Sequence, residues 1–228
     1  LLVATDGGLS GIPPAGLVGM HVFTIRATDL AGSQAQATLL IEVLADGMPL
    51  PWDVSAVGSQ DGGSSAVSGQ GEFVVAGTGQ ISGREDNFQF VWQTLNGDGS
   101  ITARILSIDG AASSRAGVMI RDTLASNSRH VFLGLSGEGA FRWVRRTNYN
   151  GNTAANTSGT ATMPDAWVKL QRRGKTITAY KSLDASNWVQ IGSLNADLPE
   201  TCYFGLAVSS GSPATVNEAR FSNVTLEP

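Results

Sequence analysis

The sequence predicts an all-β protein whose main part is two antiparallel sheets packed face to face, and three observations carry that prediction. Apolar residues recur at every second position in one run after another, the period of a strand with one dry side. Clusters of Gly, Asn, Asp and Ser separate these runs at short intervals, as tight turns require. No apolar stripe of helical spacing persists for three turns, and 28 glycines with only 15% charged residues suit short strands better than helices.

Taken in order, residues 1–44 form a first unit. Leu9-Ser10-Gly11-Ile12-Pro13-Pro14 is a turn-rich connector ahead of two strands, His21–Thr28 and Gln36–Leu44. Asp29-Leu30-Ala31-Gly32 between them reads as a hairpin turn, with Gly32 supplying a positive φ. Ala45 to Pro51 is a linker carrying Asp46-Gly47 and two prolines that restrict the backbone.

Trp52 opens the main domain, 52–228. Strands are expected near Glu72–Ala76, Phe88–Leu95, Ser100–Ile108, Ala116–Arg121, His130–Leu135, Phe141–Arg146, Trp167–Arg172, Thr176–Ser182, Trp188–Ser193, Tyr203–Val208 and Ala219–Leu226. Turn signals lie between most of them, at Asn96-Gly97-Asp98-Gly99, Gly137-Glu138-Gly139, Arg173-Gly174-Lys175 and Asp184-Ala185-Ser186-Asn187. So many strands in one unit of this size imply two packed antiparallel sheets.

The stretch from Ile101 to Leu135 shows the alternation best. Ile101, Ala103 and Ile105 share one side, as do Ala116, Val118 and Ile120, and Val131, Leu133 and Leu135. The opposite rows hold Gly117, Met119 and Arg121, then His130, Phe132 and Gly134. A merely solvated face would carry Thr, Lys and Glu, so this second side, expected to face water, is where function is sought.

A formal charge of −4 argues against nucleic acid, whose binding normally needs a basic excess. No apolar run approaches the eighteen or so residues that span a bilayer. Cys202, alone in the apolar run Cys202–Val208, reads as a small buried residue. The chain begins at Leu1 with no signal peptide, so it is expected to be cut from a longer polypeptide. Little Lys, much Thr, Ser, Asn and Gly, and one Cys fit an exported bacterial protein built without disulfides, extracellular or at the cell surface.

Two stretches carry family resemblances. Gly8-Leu9-Ser10-Gly11-Ile12-Pro13 followed by Ala27-Thr28-Asp29-Leu30-Ala31-Gly32 resembles the closing strands of cadherin-like and Ig-like repeats of bacterial surface proteins. The likeness covers about half of such a sandwich. It implies an uncovered edge and apolar face that lean on the second unit or reflect the cut.

In the main domain the quoted segments are Asp86-x-Phe88-x-Phe90-Val91-Trp92-Gln93, Gly97-Asp98-Gly99-x-Ile101-x-Ala103-Arg104-Ile105 and Ala116-Gly117-Val118-Met119-Ile120-Arg121. They continue with Trp167-Val168-Lys169-Leu170 and Arg172, Tyr180-x-Ser182-x-Asp184 with Trp188, Gly205-Leu206-Ala207-Val208, and Phe221-x-Asn223-Val224. Together they resemble the concanavalin A-like, laminin-G-like jelly-roll modules called DUF1349 or regulation-of-enolase-like. The resemblance implies a jelly-roll sandwich appended to large exported bacterial proteins, often beside glycoside hydrolases. One departure is Ala185, where that family usually has Gly after the Asp.

For catalysis, a concanavalin-like glycosidase strand reads Glu-x-Asp-x-x-Glu, placing acid and nucleophile on one face. None of the seven glutamates has that spacing, no Gly-x-Ser-x-Gly elbow occurs, and the two histidines lie one in each unit, so no enzymatic activity is expected. Asn96-Gly97-Asp98-Gly99-Ser100 is similar to the start of a calcium loop, but Ser107 stands where the closing Glu should be, which favours a hairpin turn. The laminin-G resemblance implies one structural Ca2+, with Asp53, Asp61 and Asp86 as its candidate ligands. His130 has no His or Cys partner for a transition metal.

The favoured function is non-catalytic recognition of a polysaccharide or matrix glycan on a concave sheet. Its candidate contacts are Arg121, His130, Phe132, Trp143, Arg145 and Tyr149, rings for pyranose faces and guanidinium groups for hydroxyls, rimmed by the loop Asn148–Thr160. Arg142, Arg145, Arg146, Arg172, Arg173 and Lys175 fall on neighbouring segments and suit an acidic glycan, or else a solvated strand face. The alternative is a structural or adhesive spacer beside neighbouring domains of the same polypeptide. An exposed ring-lined groove favours recognition, and a face filled by its own loops favours the spacer.

Overall fold

The computed structural model describes residues 2–3, 9–10, 19–43, 48–59 and 62–228. Eighteen strands follow one another: β1 Leu2–Val3, β2 Leu9–Ser10, β3 Gly19–Thr28, β4 Gln34–Val43, β5 Asp53–Val57, β6 Ser64–Val67, β7 Phe73–Gly79, β8 Phe88–Asn96 and β9 Gly99–Ile108. They continue with β10 Arg115–Arg121, β11 His130–Ser136, β12 Ala140–Arg146, β13 Ala154–Thr160, β14 Ala166–Arg173, β15 Thr176–Ser182, β16 Val189–Asn195, β17 Thr201–Ser209 and β18 Ser212–Glu227.

In the N-terminal part, β1 pairs with β2 and β3 pairs with β4 in a hairpin that runs in register from Gly19↔Val43 to Thr28↔Gln34. Its turn is the expected one: Asp29 Oδ1 accepts from the amides of Ala31 and Ser33, and Gly32 takes φ +87°. Met20, Val22, Phe23 and Leu40 are exposed on it. Leu44, the expected end of the second strand, and residues 45–47 of the expected linker lie outside the described residues.

From Asp53 onward the chain builds two seven-stranded antiparallel sheets. Sheet I has the order β13-β12-β11-β10-β17-β8-β5, and sheet II the order β16-β15-β14-β9-β18-β7-β6. The all-β jelly-roll sandwich is thus the observed architecture. Between the sheets lies one large apolar core. Sheet I supplies Val118, Ile120, Val131, Leu133, Phe204 and Leu206, and sheet II supplies Ile101, Ala103, Ile105, Val168, Leu170 and Phe221. Burying each of these larger side chains stabilises by about 1.5–3 kcal/mol, which fixes the register, since a one-residue slip would turn every row outward.

Within the two large sheets three strands have no counterpart in the sequence reading, β5, β6 and β13, all at sheet edges, and neither do β1 and β2 before them. In β13 only Ser158 escapes full exposure, so no apolar row marks it, and its Asn, Thr and Gly residues read as loop. The turn at Asn96–Gly99 is also not a hairpin turn: it carries the chain from β8 in sheet I to β9 in sheet II.

The largest correction concerns the outer face of sheet I. The alternation itself holds, and Met119, Arg121, His130 and Phe132 do point away from the inter-sheet core. They do not meet water. A second apolar cluster covers that face, made of Val57, Ile81, Phe88, Phe90, Met119, Phe132, Val144 and Ala207 with Leu124 against it. Ile81 and Leu124 come from the segments 80–87 and 122–129, which fold over the sheet as a partial third layer.

Candidate functional site

The covering segments are held by a buried ionic cluster. Arg146, on β12, grips Asp86 with both terminal nitrogens, at 2.7 and 2.8 Å. His130 Nδ1 lies 3.2 Å from the same carboxylate and Arg121 Nη1 lies 3.7 Å from it, with all four side chains fully buried. The remaining guanidinium donors are satisfied by loop carbonyls. Arg146 donates to the carbonyls of Gly83, Ser126, Ser128 and Gly151, and Arg121 to those of Thr123 and Ala125. Each arginine therefore ties loop to strand, as a buried charge must be tied if it is to be tolerated.

The electrostatics follow from this arrangement. Burial alone would raise the Asp86 carboxyl, but His130, Arg146 and Arg121 hold it below the usual carboxylate range. Burial pushes the His130 imidazole below its ordinary value despite Asp86, so the ring is neutral at pH 7. Burial also lowers Arg121 to about 10, which leaves it charged. Its guanidinium lies 5.1 Å from the centre of the Phe88 ring.

The predicted residues therefore separate. Arg121, His130 and Phe132 are buried and unavailable to a ligand, because the third layer covers them. Trp143 and Arg145 lie on the opposite face of β12: Trp143 pairs across from Leu133 and packs on the inter-sheet core. The Trp143 ring lies so close to Gly192 that a Cβ there would come within 2.0 Å of it, so only glycine fits. The Arg145 guanidinium lies over that ring, 4.3 Å from its centre, and donates to Asn156 Oδ1. Tyr149 is exposed, but its hydroxyl donates to Asp122, and the Arg129 guanidinium sits 4.9 Å from its ring.

The expected cationic cluster is likewise split. Arg172 is buried on sheet II, where it donates to the carbonyls of Gly174, Leu198 and Pro199 and to Cys202 Sγ. Cys202 is buried as expected, and burial pushes its thiol up.

The two described calcium candidates, Asp86 and Asp53, do not form a site for that ion. Asp86 is already neutralised by guanidinium groups that would repel a cation, Asp53 is exposed on the edge strand β5, and Asp61 lies outside the described residues. Among the described residues no group of three or more His, Cys, Asp or Glu stands ready for a metal ion.

At the other end of β10 and β12 the outer face of sheet I is open. A pocket of about 270 Å3 lies there, lined by Gln80, Arg115, Ser136, Glu138, Arg142 and Ser209 among others. Strand register builds it: Arg115 of β10 stands between Ser136 of β11 and Ser209 of β17, and Arg142 lies one pleat along on β12. Arg115 donates to the Ile81 carbonyl, and Arg142 donates to Thr157 Oγ1 at 2.6 Å. The Ser209 hydroxyl is fully buried and has no partner. Burial lowers the Arg115 pKa, the nearby Arg142 charge lowers it further, and Asp86 partly opposes them. Of these residues the sequence reading named Arg142, in the cationic cluster, and missed Arg115 and Ser209, although the two-residue period that flagged Met119 and Arg121 runs on to Arg115.

No family model matches the chain, and no curated protein matches it. The sandwich recurs in solved structures. A functionally unknown protein from Saccharomyces cerevisiae is 14% identical, with 78% of this chain and 96% of that chain covered, at a TM-score of 0.62. The GH43 protein BlXynB from Bacillus licheniformis is 15% identical, with 86% of this chain and 44% of that one covered, at 0.57. A β-glucanase from Bacillus licheniformis is 10% identical, with 77% and 91% covered, at 0.51.

At these identities the likeness is one of fold, the two-sheet jelly-roll sandwich. It corrects the expectation that the chain is not an enzyme. A β-glucanase is built on this sandwich, and a missing Glu-x-Asp-x-x-Glu strand excludes one active-site pattern and not catalysis.

Proposed function

We propose that this chain recognises a saccharide, in the pocket at the Arg115–Arg142 end of sheet I. The observation that carries the reading is the pocket itself. Where the third layer stops, hydroxyl, amide and guanidinium groups converge on a space of about 270 Å3 next to an apolar wall that includes Ile81. Fixed polar groups on rigid strands, aimed into one concavity, are what orient a polyhydroxylated ligand. The β-glucanase and the GH43 protein of the same fold lend support. On this reading the narrower likeness to the DUF1349 modules and a location outside the cell go with a polysaccharide partner.

The test is a glycan array followed by titration calorimetry on the purified chain, with Ala112→Trp as the blocking variant. Ala112 is exposed at the pocket wall, and an indole there fills the space without touching the core. Binding that the tryptophan removes is the expected result. The same incubations, followed for shortening of the polysaccharide, report whether binding is coupled to cleavage. Silence across the array overturns the reading and leaves the module a spacer.

A further inference from the structure

We infer that the ligand of this pocket presents an anionic group, a carboxylate or a sulfate ester, to Arg115 and Arg142. The inference rests on the saccharide reading above and narrows it to acidic glycans.

Two guanidinium groups line one small pocket, and among the described residues neither forms an ion pair with a carboxylate. At the other end of the same face Asp86 neutralises Arg121 and Arg146, whereas the buried Arg172 of sheet II is satisfied by carbonyls instead. Like charges sharing a partly dry site repel one another, and the lowered pKa of Arg115 reflects burial first and the Arg142 charge second. A neutral hydroxyl would leave the repulsion in place, whereas an anion removes it.

The donor set has the matching shape. Each guanidinium has five N–H donors, and the bonds to the Ile81 carbonyl and Thr157 Oγ1 leave most of them free. The Ser209 hydroxyl, fully buried with no partner, is the cross-strand neighbour of Arg115 and adds a further donor. A carboxylate or sulfate offers two or three acceptor oxygens to such a set in charge-assisted bonds. Glu138 also lines the pocket, but it is exposed, and the two arginines outnumber it.

The experiment uses matched ligand pairs that differ only in charge: galacturonan oligosaccharides against their methyl esters, and a sulfated galactan against the same galactan without sulfate. Titration calorimetry on the full chain should show the charged member of a pair binding at least about tenfold more tightly. Raising NaCl to about 0.5 M should erase that preference. The pair that responds identifies uronate or sulfate as the group recognised.

Arg142→Gln should abolish the preference with only a small change in melting temperature, and Arg142→Lys, which keeps the charge without the fork, should retain part of it. Equal binding of charged and neutral members, unaffected by Arg142→Gln, overturns the anion inference while leaving saccharide recognition intact. Failure of both members of every pair to bind removes the saccharide reading and the inference with it.

Discussion

Sheet I carries two arginine pairs on one face, and they have opposite fates. Arg121 and Arg146, at one end of β10 and β12, are fully buried on Asp86. Arg115 and Arg142, at the other end of the same two strands, reach a pocket and meet no carboxylate partner among the described residues. Residue type, strand and face are shared. The difference lies in the segment 80–87, which brings a carboxylate to one pair and only the Ile81 carbonyl to the other. An arginine row on a sandwich face is therefore structural or receptive according to what an overlying loop presents to it, and strand periodicity alone cannot distinguish the two.

The sharpest way to break this comparison is to remove the carboxylate. Asp86→Ala leaves two guanidinium groups buried without a counter-charge and should cost about 3–5 kcal/mol, the range for breaking one side of a buried pair. Urea denaturation reads it directly. Arg142→Gln, in the other pair, should move the midpoint by about 0.5 kcal/mol or less, as for a partly exposed side chain with one hydrogen bond. Equal losses in the two variants would mean that both ends are structural.

A smaller effect separates the two ends by pH. His130 has a folded pKa below its ordinary 6.5, so on acidification the unfolded chain takes up the proton first and stability falls as pH drops through 6.5. Asp86, with a depressed folded pKa, contributes stability that is present above its ordinary 3.8 and is lost as pH falls through the folded value. Both act in the same direction. Between pH 7 and 5 the melting temperature should decline, with a slope of at most about 1.4 kcal/mol per pH unit from His130, and His130→Gln should flatten that step. Guanidinium groups keep their charge across this range, so binding at the pocket should not follow the same curve.

How much of this was legible follows from which contacts are local. Rows such as Val118-Ile120 and Val131-Leu133-Leu135 declare their dry side by alternation, and the sandwich follows from them. The exposed edge strand Ala154–Thr160 has no dry side to declare. The row Met119, Arg121, His130 and Phe132 was visible as unusual, but its covering was not. Asp86 lies 60 residues before Arg146, and no local pattern announces that pairing. Trp143 and Arg145 could have been assigned to the inner face from sequence, because they alternate with Arg142 and Val144. Ala185 shows a smaller surprise. It keeps φ +62° where the resembling family usually has Gly, and Asp184 supports the turn by accepting from the amides of Ser186 and Asn187.

The finest discrimination between the two ends rests on a single hydroxyl. Each end holds a buried polar atom without a partner, His130 Nε2 at the locked end and Ser209 Oγ at the other, but only Ser209 lines a pocket that a ligand can enter. A buried polar atom left unpaired costs stability, so Ser209→Ala should leave the free protein as stable as before or more stable by up to about 1 kcal/mol. The same substitution removes a donor from the pocket and should weaken binding of an acidic oligosaccharide several-fold, on the order of one hydrogen bond to a charged group. Thermal denaturation with and without ligand measures both effects in one series. A variant that melts higher alone but gains less from ligand marks Ser209 as a binding group, and a variant that loses stability while binding unchanged assigns the hydroxyl to the fold.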